Sequence, residues 1–293
     1  MSARDVLDAC MRAARRHRPP SPPAALTRLP YSSVREGDAF RRAAVPVLLE
    51  GVTEEWPGRT NLSLSRVRER FADRVVSGSL TEGGRIVSDV RSGLSFEALP
   101  VGAYVEALER GERPEAYLHG PGETWLPELL DDVTPPPCYE RASWRTARFW
   151  LSAPDMSSPL HHHAAENIFV QLMGRKRFRL YPPAASPWLS SNPIRSALPN
   201  YSRFDAEYPD YDRVPLARAV EPLETVLDAG DAIYLPSGWW HQVRSLDVSF
   251  SVNFFFADGL TAVLQRITEV VKRVRGLEIY GLQQRLQHKS GAS

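Results

Sequence analysis

Two cysteines, Cys10 and Cys138, are all that the 293 residues contain. They lie far apart in unlike contexts, which argues against a disulfide framework and a cysteine-built zinc site and fits a reducing, cytoplasmic location. No stretch approaches about 18 uninterrupted apolar residues, the length that reads as a membrane span, and the N-terminus lacks an apolar signal core. An excess of one charge is missing too: 36 Lys and Arg stand against 35 Asp and Glu, a formal net charge of +1. That balance removes a bulk field drawing in nucleic acid or an anionic membrane and leaves only local basic patches. There is no G-x-S-x-G elbow, no P-loop and no glycine-rich dinucleotide turn.

With 43% apolar and 24% charged residues, the chain has the composition of a soluble globular protein. Its length allows one large domain with appendages. Residues 1–26 read as a short helix, "DVLDACMRAARRHR", stopped by "PPSPPAA", because proline cannot continue a helix. The basic run Arg15, Arg16, His17 and Arg18 reads as a solvated helix end or a contact for an acidic partner. Helical spacing is expected over 64–72 and 96–111, and strands over 43–52 and 115–122. From about residue 144 the texture changes to short alternating apolar runs punctuated by Pro, Gly and Asp. Strands are expected at 147–152, 166–173, 176–181, 231–235, 239–244 and 248–256, a pattern of a sandwich or barrel. Residues 260–287 read as a helix with an apolar stripe through Leu260, Val263, Leu264, Ile267, Val270, Val271, Val274 and Leu277.

"SSPLHHHAAENIFVQLMGRKRFRLYPP" (157–183) carries three adjacent histidines. On a strand, His161 and His163 point one way and His162 the other. Two imidazoles so spaced can share one ion, and the best third ligand is His241 in "GDAIYLPSGWWHQV". Three neutral nitrogen donors suit iron, zinc, copper or nickel rather than magnesium or calcium. The alternation continues through Ala165, Asn167, Phe169 and Gln171 on the metal-facing side. In the next strand Arg175, Arg177 and Arg179 take the wet face, which turns Lys176 inward. A buried ammonium without a partner costs several kcal/mol as a rough order, so either an anion meets it or it snorkels to the barrel mouth. In "DVSFSVNFFF" (247–256), Ser249, Ser251 and Asn253 share one face opposite an apolar one, which fits a lined cavity or a wetted surface.

Four segments, "PVLLEGVTEEWP", "SPLHHHAAENIFVQLMGRKRFRLYPP", "SRFDAEYPDY" and "GDAIYLPSGWWHQVRSLDVSFSVNFFF", together resemble the JmjC-type, cupin-like Fe(II)- and 2-oxoglutarate-dependent oxygenases. Within that family they are most similar to the small hydroxylases related to the asparaginyl hydroxylase of hypoxia-inducible factor. The resemblance implies a mainly β fold, a double-stranded β-helix or jelly-roll barrel over 27–259 with flanking helices, and a C-terminal helical extension over 260–293. It implies metal ligands at His161 and His241. It also implies Lys176 on the side carboxylate of 2-oxoglutarate, with further cosubstrate contacts from Tyr117, Ser158, Asn167 and Asn253. In relatives with a helical extension that segment dimerises, so a homodimer through 260–287 is one expectation and packing on the chain's own barrel the other. Tyr201, Tyr208, Tyr211, Trp239 and Trp240 are candidates for a substrate mouth.

The sequence departs from the family at one ligand. An Asp or Glu belongs two residues after the first histidine, and this chain has His163. Three imidazoles leave a divalent ion with its full +2 charge and move its preference toward zinc, copper or nickel. The imidazole also fills the room that a halogenase reserves for halide. Ordinary cupins put a glutamate on the ligand face, where this chain has Asn167 while Glu166 points away. The expected activity is hydroxylation of a C–H bond in a peptide, protein or natural product, using Fe(II), 2-oxoglutarate and O2. The alternatives are a three-histidine dioxygenase independent of 2-oxoglutarate, which leaves Lys176 without a task, and a catalytically silent metal- or metabolite-binding barrel.

Overall fold

The computed structural model of the chain describes residues 19–21, 25–34, 39–56 and 58–275. The helix expected near the N-terminus and the end of the expected C-terminal stripe, beyond Arg275, lie outside the described residues. Fifteen strands are described. They are β1 (Thr27–Pro30), β2 (Val47–Glu50), β3 (Val75–Glu82), β4 (Arg85–Ile86), β5 (Ser88–Asp89), β6 (Gly93–Leu94), β7 (Phe96–Pro100), β8 (Ala116–Pro121), β9 (Trp144–Ser152), β10 (Glu166–Met173), β11 (Lys176–Tyr181), β12 (Leu223–Leu227), β13 (Ala232–Leu235), β14 (Trp240–Ser245) and β15 (Ser249–Ala257). The large sheet runs β1-β2-β13-β10-β15-β9-β8-β3-β4, with β7 also on β3; β12-β11-β14 form a second sheet and β5-β6 a third. Apart from the parallel β1–β2 pair, the large sheet is antiparallel. The ladders remain separate, two opposed sheets of a cupin-like jelly roll rather than one closed barrel.

The sequence of β15 shows why the sheets face each other. Phe250, Val252, Phe254 and Phe256 take one side and join Phe149, Leu118, Ile168 and Val170 in the largest apolar core. Trp56 and Tyr139 cap that side, with ring centroids 6.3 and 5.1 Å from Phe254. Ser251 and Asn253 take the other side and are buried as well, at 0% and 4% exposure. The polar face is therefore an interior, not a wetted surface. Across that interior the second sheet presents Phe178, Leu180, Leu223, Leu227 and Val243, which pack on Phe169, Ile233 and Leu235 of the large sheet.

Two expectations need correction. Residues 96–111 are not one helix: β7 runs to Pro100 and pairs with β3, and the helix is Val101–Glu109. The ring of Pro100 fixes φ and keeps the residue before it extended. The strand through His161 is also interrupted. His161 forms bridges with His241 and Tyr201, residues 162–165 are irregular, and β10 begins at Glu166. The C-terminal helix Gly259–Arg275 buries Ala262 against Ala165 and Ala257. Leu260, Val263, Leu264 and Ile267 are 48–74% exposed, so at these four positions the stripe does not pack on the chain's own core. No helix among the described residues is long and apolar enough to cross a membrane.

Candidate metal centre

His161, His163 and His241 converge. One ligand atom from each lies within 4.8 Å of the others, and the ring centroids are 4.3 Å apart for His161–His241, 4.9 Å for His161–His163 and 5.4 Å for His163–His241. Reciprocal backbone hydrogen bonds between His161 and His241, at 3.0 and 2.7 Å, hold two of the rings side by side. His163 is placed from both sides of its backbone: its carbonyl accepts from the Gly238 N–H at 2.8 Å, while the preceding His162 is clamped by Asn200 through two bonds of 3.0 and 2.8 Å. The spacing thus has the outcome of strand alternation without an intact strand. His162 itself turns away and meets the Trp240 ring edge-on at 4.5 Å.

The tautomers suit a metal. Nδ1 of His161 lies 2.8 Å from the Pro159 carbonyl, and Nδ1 of His241 lies 3.0 Å from the Trp239 carbonyl. A carbonyl can only accept, so each Nδ1 carries the hydrogen and each Nε2 keeps its lone pair. Burial pushes the His161 pKa down to about 4 and holds His241 well below the ordinary range, with His161 adding to the effect. Both rings are neutral donors at physiological pH.

Beyond the histidines, the interior runs to Lys176. Its side chain has no exposure, and its Nζ donates to the Tyr117 hydroxyl at 2.8 Å and to the Ser251 hydroxyl at 2.9 Å. No carboxylate pairs with it among the described residues, and burial lowers its pKa to about 7. The expectation of an inward lysine is met, and the snorkelling alternative is not. The interior positions Phe255, Asn253 and Ser251 of β15 lead from the histidine cluster to this ammonium: Phe255 meets His163 at 4.8 Å between centroids, and Ser251 bonds the lysine. Along this row both amide atoms of Asn167 and Oδ1 of Asn253 are buried without partners. Buried polar groups are seldom left so. Free Nε2 lone pairs, orphaned amides and an ammonium lacking a carboxylate together fit a divalent first-row ion beside a small dianionic acid.

Other expected residues sit elsewhere. Ser158 accepts from the Val243 N–H at 3.1 Å and lines an open groove of about 560 Å³ with Arg85, Tyr201, Arg203 and Gln242. Tyr201 stacks on His161 at 5.1 Å, so that groove runs beside the histidine cluster. Trp239 and Trp240 are both buried, with indole N–H groups donating to the Ala44 carbonyl and the Ser186 hydroxyl; they pack rather than line a mouth. Tyr208 holds Arg85 over its ring at 4.0 Å. Sequence reasoning passed over His119, Arg148 and Trp150, which face the same interior. The signal was present in the alternation of β8 and β9, where Tyr117 and His119, and Arg148 and Trp150, share one side.

The chain matches the family described as Cupin-like domain over residues 34–261. It is 31% identical over 220 residues to Lysine-specific demethylase 8 of Xenopus tropicalis, covering 72% of this chain and 48% of that protein. JmjC domain-containing protein 8 of Rattus norvegicus is 29% identical over 235 residues, 78% of this chain and 79% of its own. tRNA wybutosine-synthesizing protein 5 of Gallus gallus is 28% identical over 131 residues, 45% of this chain and 40% of that protein. The chain spans about half or less of the length of the demethylases it matches. Its fold, its histidine cluster and this match agree: the chain belongs to the cupin-like JmjC family of Fe(II)- and 2-oxoglutarate-dependent oxygenases.

Proposed function

We propose that this protein is a 2-oxoglutarate-dependent hydroxylase that acts on a C–H bond of a peptide, protein or natural-product substrate from a three-histidine centre. The observation that carries the reading is Lys176, a buried ammonium without a carboxylate, facing the same interior as three converging imidazoles. His161, His163 and His241 would hold iron. Lys176, Tyr117 and Asn253 would receive 2-oxoglutarate, with Asn167 beside them and Ser158 at the rim. When bound, iron and 2-oxoglutarate supply oxidation by O2 coupled to decarboxylation of the cosubstrate to succinate. The chain's own contribution is orientation and dryness: Lys176 and Tyr117 fix the far carboxylate, Phe255 and Phe169 exclude water, and the two Nδ1 bonds keep the ligand rings aimed.

The test is anaerobic addition of Fe(II) and 2-oxoglutarate to the purified protein. A weak charge-transfer band, then slow succinate release on admitting O2, is expected. Oxygen uptake with no binding of 2-oxoglutarate would move the protein to the cosubstrate-independent dioxygenases. His163 motivates a second reading: with an imidazole where the family places a carboxylate, a band without turnover under any substrate identifies a silent binding fold. Printed names among the relatives point to methylated lysine and to tRNA as substrates of those proteins; either class is a candidate here. The exposed stripe at Leu260, Val263, Leu264 and Ile267 supports a homodimer through the C-terminal helix, which sedimentation of the full chain and of an I267E variant tests.

A further inference from the structure

The proposed cosubstrate seat leaves one interior cation without a task. Arg148 on β9 lies directly opposite Asn253 on β15, so the two side chains share the interior face of the large sheet. Arg148 is half-buried and has no hydrogen-bond or ion-pair partner among the described residues. Its guanidinium carbon lies 6.0 Å from the centre of the Trp150 ring. Trp150 in turn stacks on His119 at 4.4 Å with 20° between planes. Nε1 of Trp150 and Nδ1 of His119 are both buried without partners. Arg148 sits one step closer to the histidine cluster along the strand pair than the level of Lys176, since Ser251, which bonds the lysine, faces Trp150.

Among the described residues nothing neutralises this face. Tyr117, His119, Trp150, Asn253 and Gln171 bring no carboxylate to it. Glu166, beside Asn167, turns to the other side, where Arg41 holds it at 2.6 Å and the Tyr234 hydroxyl at 2.5 Å. His119 is kept neutral by burial, with the Arg148 cation adding to the effect. His163 takes the place of the one acidic side chain that the family puts here. A divalent ion, Lys176 and Arg148 together carry more positive charge than a diacid cosubstrate cancels, and the surplus lies at Arg148.

We infer that the substrate carries a carboxylate or comparable anionic group that Arg148 receives, on the wall formed with Trp150 and His119. This rests on the proposed function and narrows its substrate class: an acidic side chain or a free organic acid fits, and a cationic side chain such as a methylated lysine is repelled. A planar guanidinium takes a carboxylate through two parallel N–H bonds, and the flanking indole gives the substrate's carbon chain an apolar surface.

The test uses full-length, metal-loaded, oxygen-free protein saturated with N-oxalylglycine, a redox-inert diacid. Calorimetric titration compares heptapeptides of alanine with Glu, Gln or Lys at the centre, and the same three residues as N-acetyl methylamides. Glu probes are expected to bind at least about tenfold tighter than Gln or Lys probes, the worth of one charge-assisted pair. In R148Q that preference disappears while N-oxalylglycine affinity stays within about threefold; R148K keeps part of it, because lysine offers the charge without the fork. A preference seen only with peptides assigns a peptide substrate, and one seen equally with the single residues assigns a small organic acid. Equal or tighter binding of Lys probes, no binding of any probe, or a preference that survives R148Q overturns the inference. So does loss of N-oxalylglycine binding in R148Q, which would place Arg148 on the cosubstrate. Failure of N-oxalylglycine to bind the parent protein strikes the proposed function instead, and the same titration without it still decides the role of Arg148.

Discussion

The ammonium of Lys176 donates to the phenol oxygen of Tyr117 at 2.8 Å, across a gap between two sheets where both side chains are buried. β11 supplies one and β8 the other, so the contact ties the small sheet to the large one. Two hydrogen bonds to neutral hydroxyls, at Tyr117 and Ser251, are poor compensation for a buried charge. K176M keeps the volume and removes the charge. It is expected to change stability at pH 8 by no more than about 2 kcal/mol, the worth of two net hydrogen bonds, while diacid affinity falls about a hundredfold through loss of a buried charge pair. Thermal melts and N-oxalylglycine titration read the two effects separately. A large loss of stability with intact diacid binding would make Lys176 a structural residue only.

The same group sets a pH dependence. Burial lowers the Lys176 pKa from the ordinary 10.5 to about 7. Between about pH 7 and 10.5 the unfolded chain binds a proton there that the ligand-free folded chain lacks, so this group makes stability rise with pH across that window. Diacid binding runs the opposite way, because it needs the ammonium. Its affinity should be greatest below about pH 7 and fall by up to about tenfold per unit above it. Near pH 8, binding should take up close to one proton. Calorimetry in buffers of different ionisation enthalpy measures that uptake; a pH-independent affinity with no proton uptake between pH 6 and 9 contradicts it.

Much of this site was legible in the residues because two periodicities wrote it. Lys176 stood out because the arginines at 175, 177 and 179 claimed the solvent side of its strand, and the interior face of β15 followed from Ser251 and Asn253 alternating with Phe250, Val252 and Phe254. The His161, His163 and His241 convergence was legible as spacing, but its mechanism was not. The bridge from His161 to His241 and the Asn200 clamp on His162 join segments 38 to 80 residues apart, and no local pattern encodes such pairings. Trp239 and Trp240 illustrate the reverse difficulty: a large aromatic beside a ligand reads equally well as a mouth or as packing, and only the acceptors at Ala44 and Ser186 decide. Residues 96–111 misled for a local reason, since Phe96, Leu99 and Ala103 satisfy the i, i+3, i+7 spacing of a helix until the geometry of Pro100 is given its full weight.

Position 163 is where the chain leaves its family. H163D restores a carboxylate two residues after the first ligand, in a pocket where the Phe255 ring lies 4.8 Å from the imidazole it replaces. The smaller anionic ligand lowers the charge of the centre and makes it a harder site. Metal preference should then move away from copper and zinc toward iron, and succinate formation without added substrate should rise severalfold. Competitive metal loading followed by elemental analysis checks the first expectation, and a succinate assay the second. An H163D variant with unchanged metal selection would mean that the third donor comes from another residue.

The turn that delivers Lys176 is a further point of control. β10 ends at Met173 and β11 starts at Lys176, with Gly174 between them at φ +70°, a conformation that L side chains rarely adopt. Space forbids a side chain as firmly as the dihedral does: a Cβ at Gly174 would sit 2.1 Å from the Val248 carbonyl oxygen and 3.1 Å from its carbon, both rigid backbone atoms. The neighbouring β14–β15 connection holds the turn in place, since the Leu246 N–H donates to the Arg175 carbonyl at 2.9 Å and Arg175 pairs with Asp247 at 2.8 Å. G174A must therefore shift the β10–β11 turn away from 246–248. The expected cost is at least about 2 kcal/mol, above the penalty for alanine in a left-handed turn because the clash adds to it. The shift also moves Lys176 relative to Tyr117 and Ser251, so diacid affinity should fall together with stability. G174N separates the two contributions, since asparagine tolerates the dihedral but not the contact. Comparable destabilisation in both variants assigns the cost to the Val248 carbonyl, and near-parental stability in G174N assigns it to the dihedral alone. Parental melting temperature and diacid affinity in both would show that this turn does not set the position of the lysine.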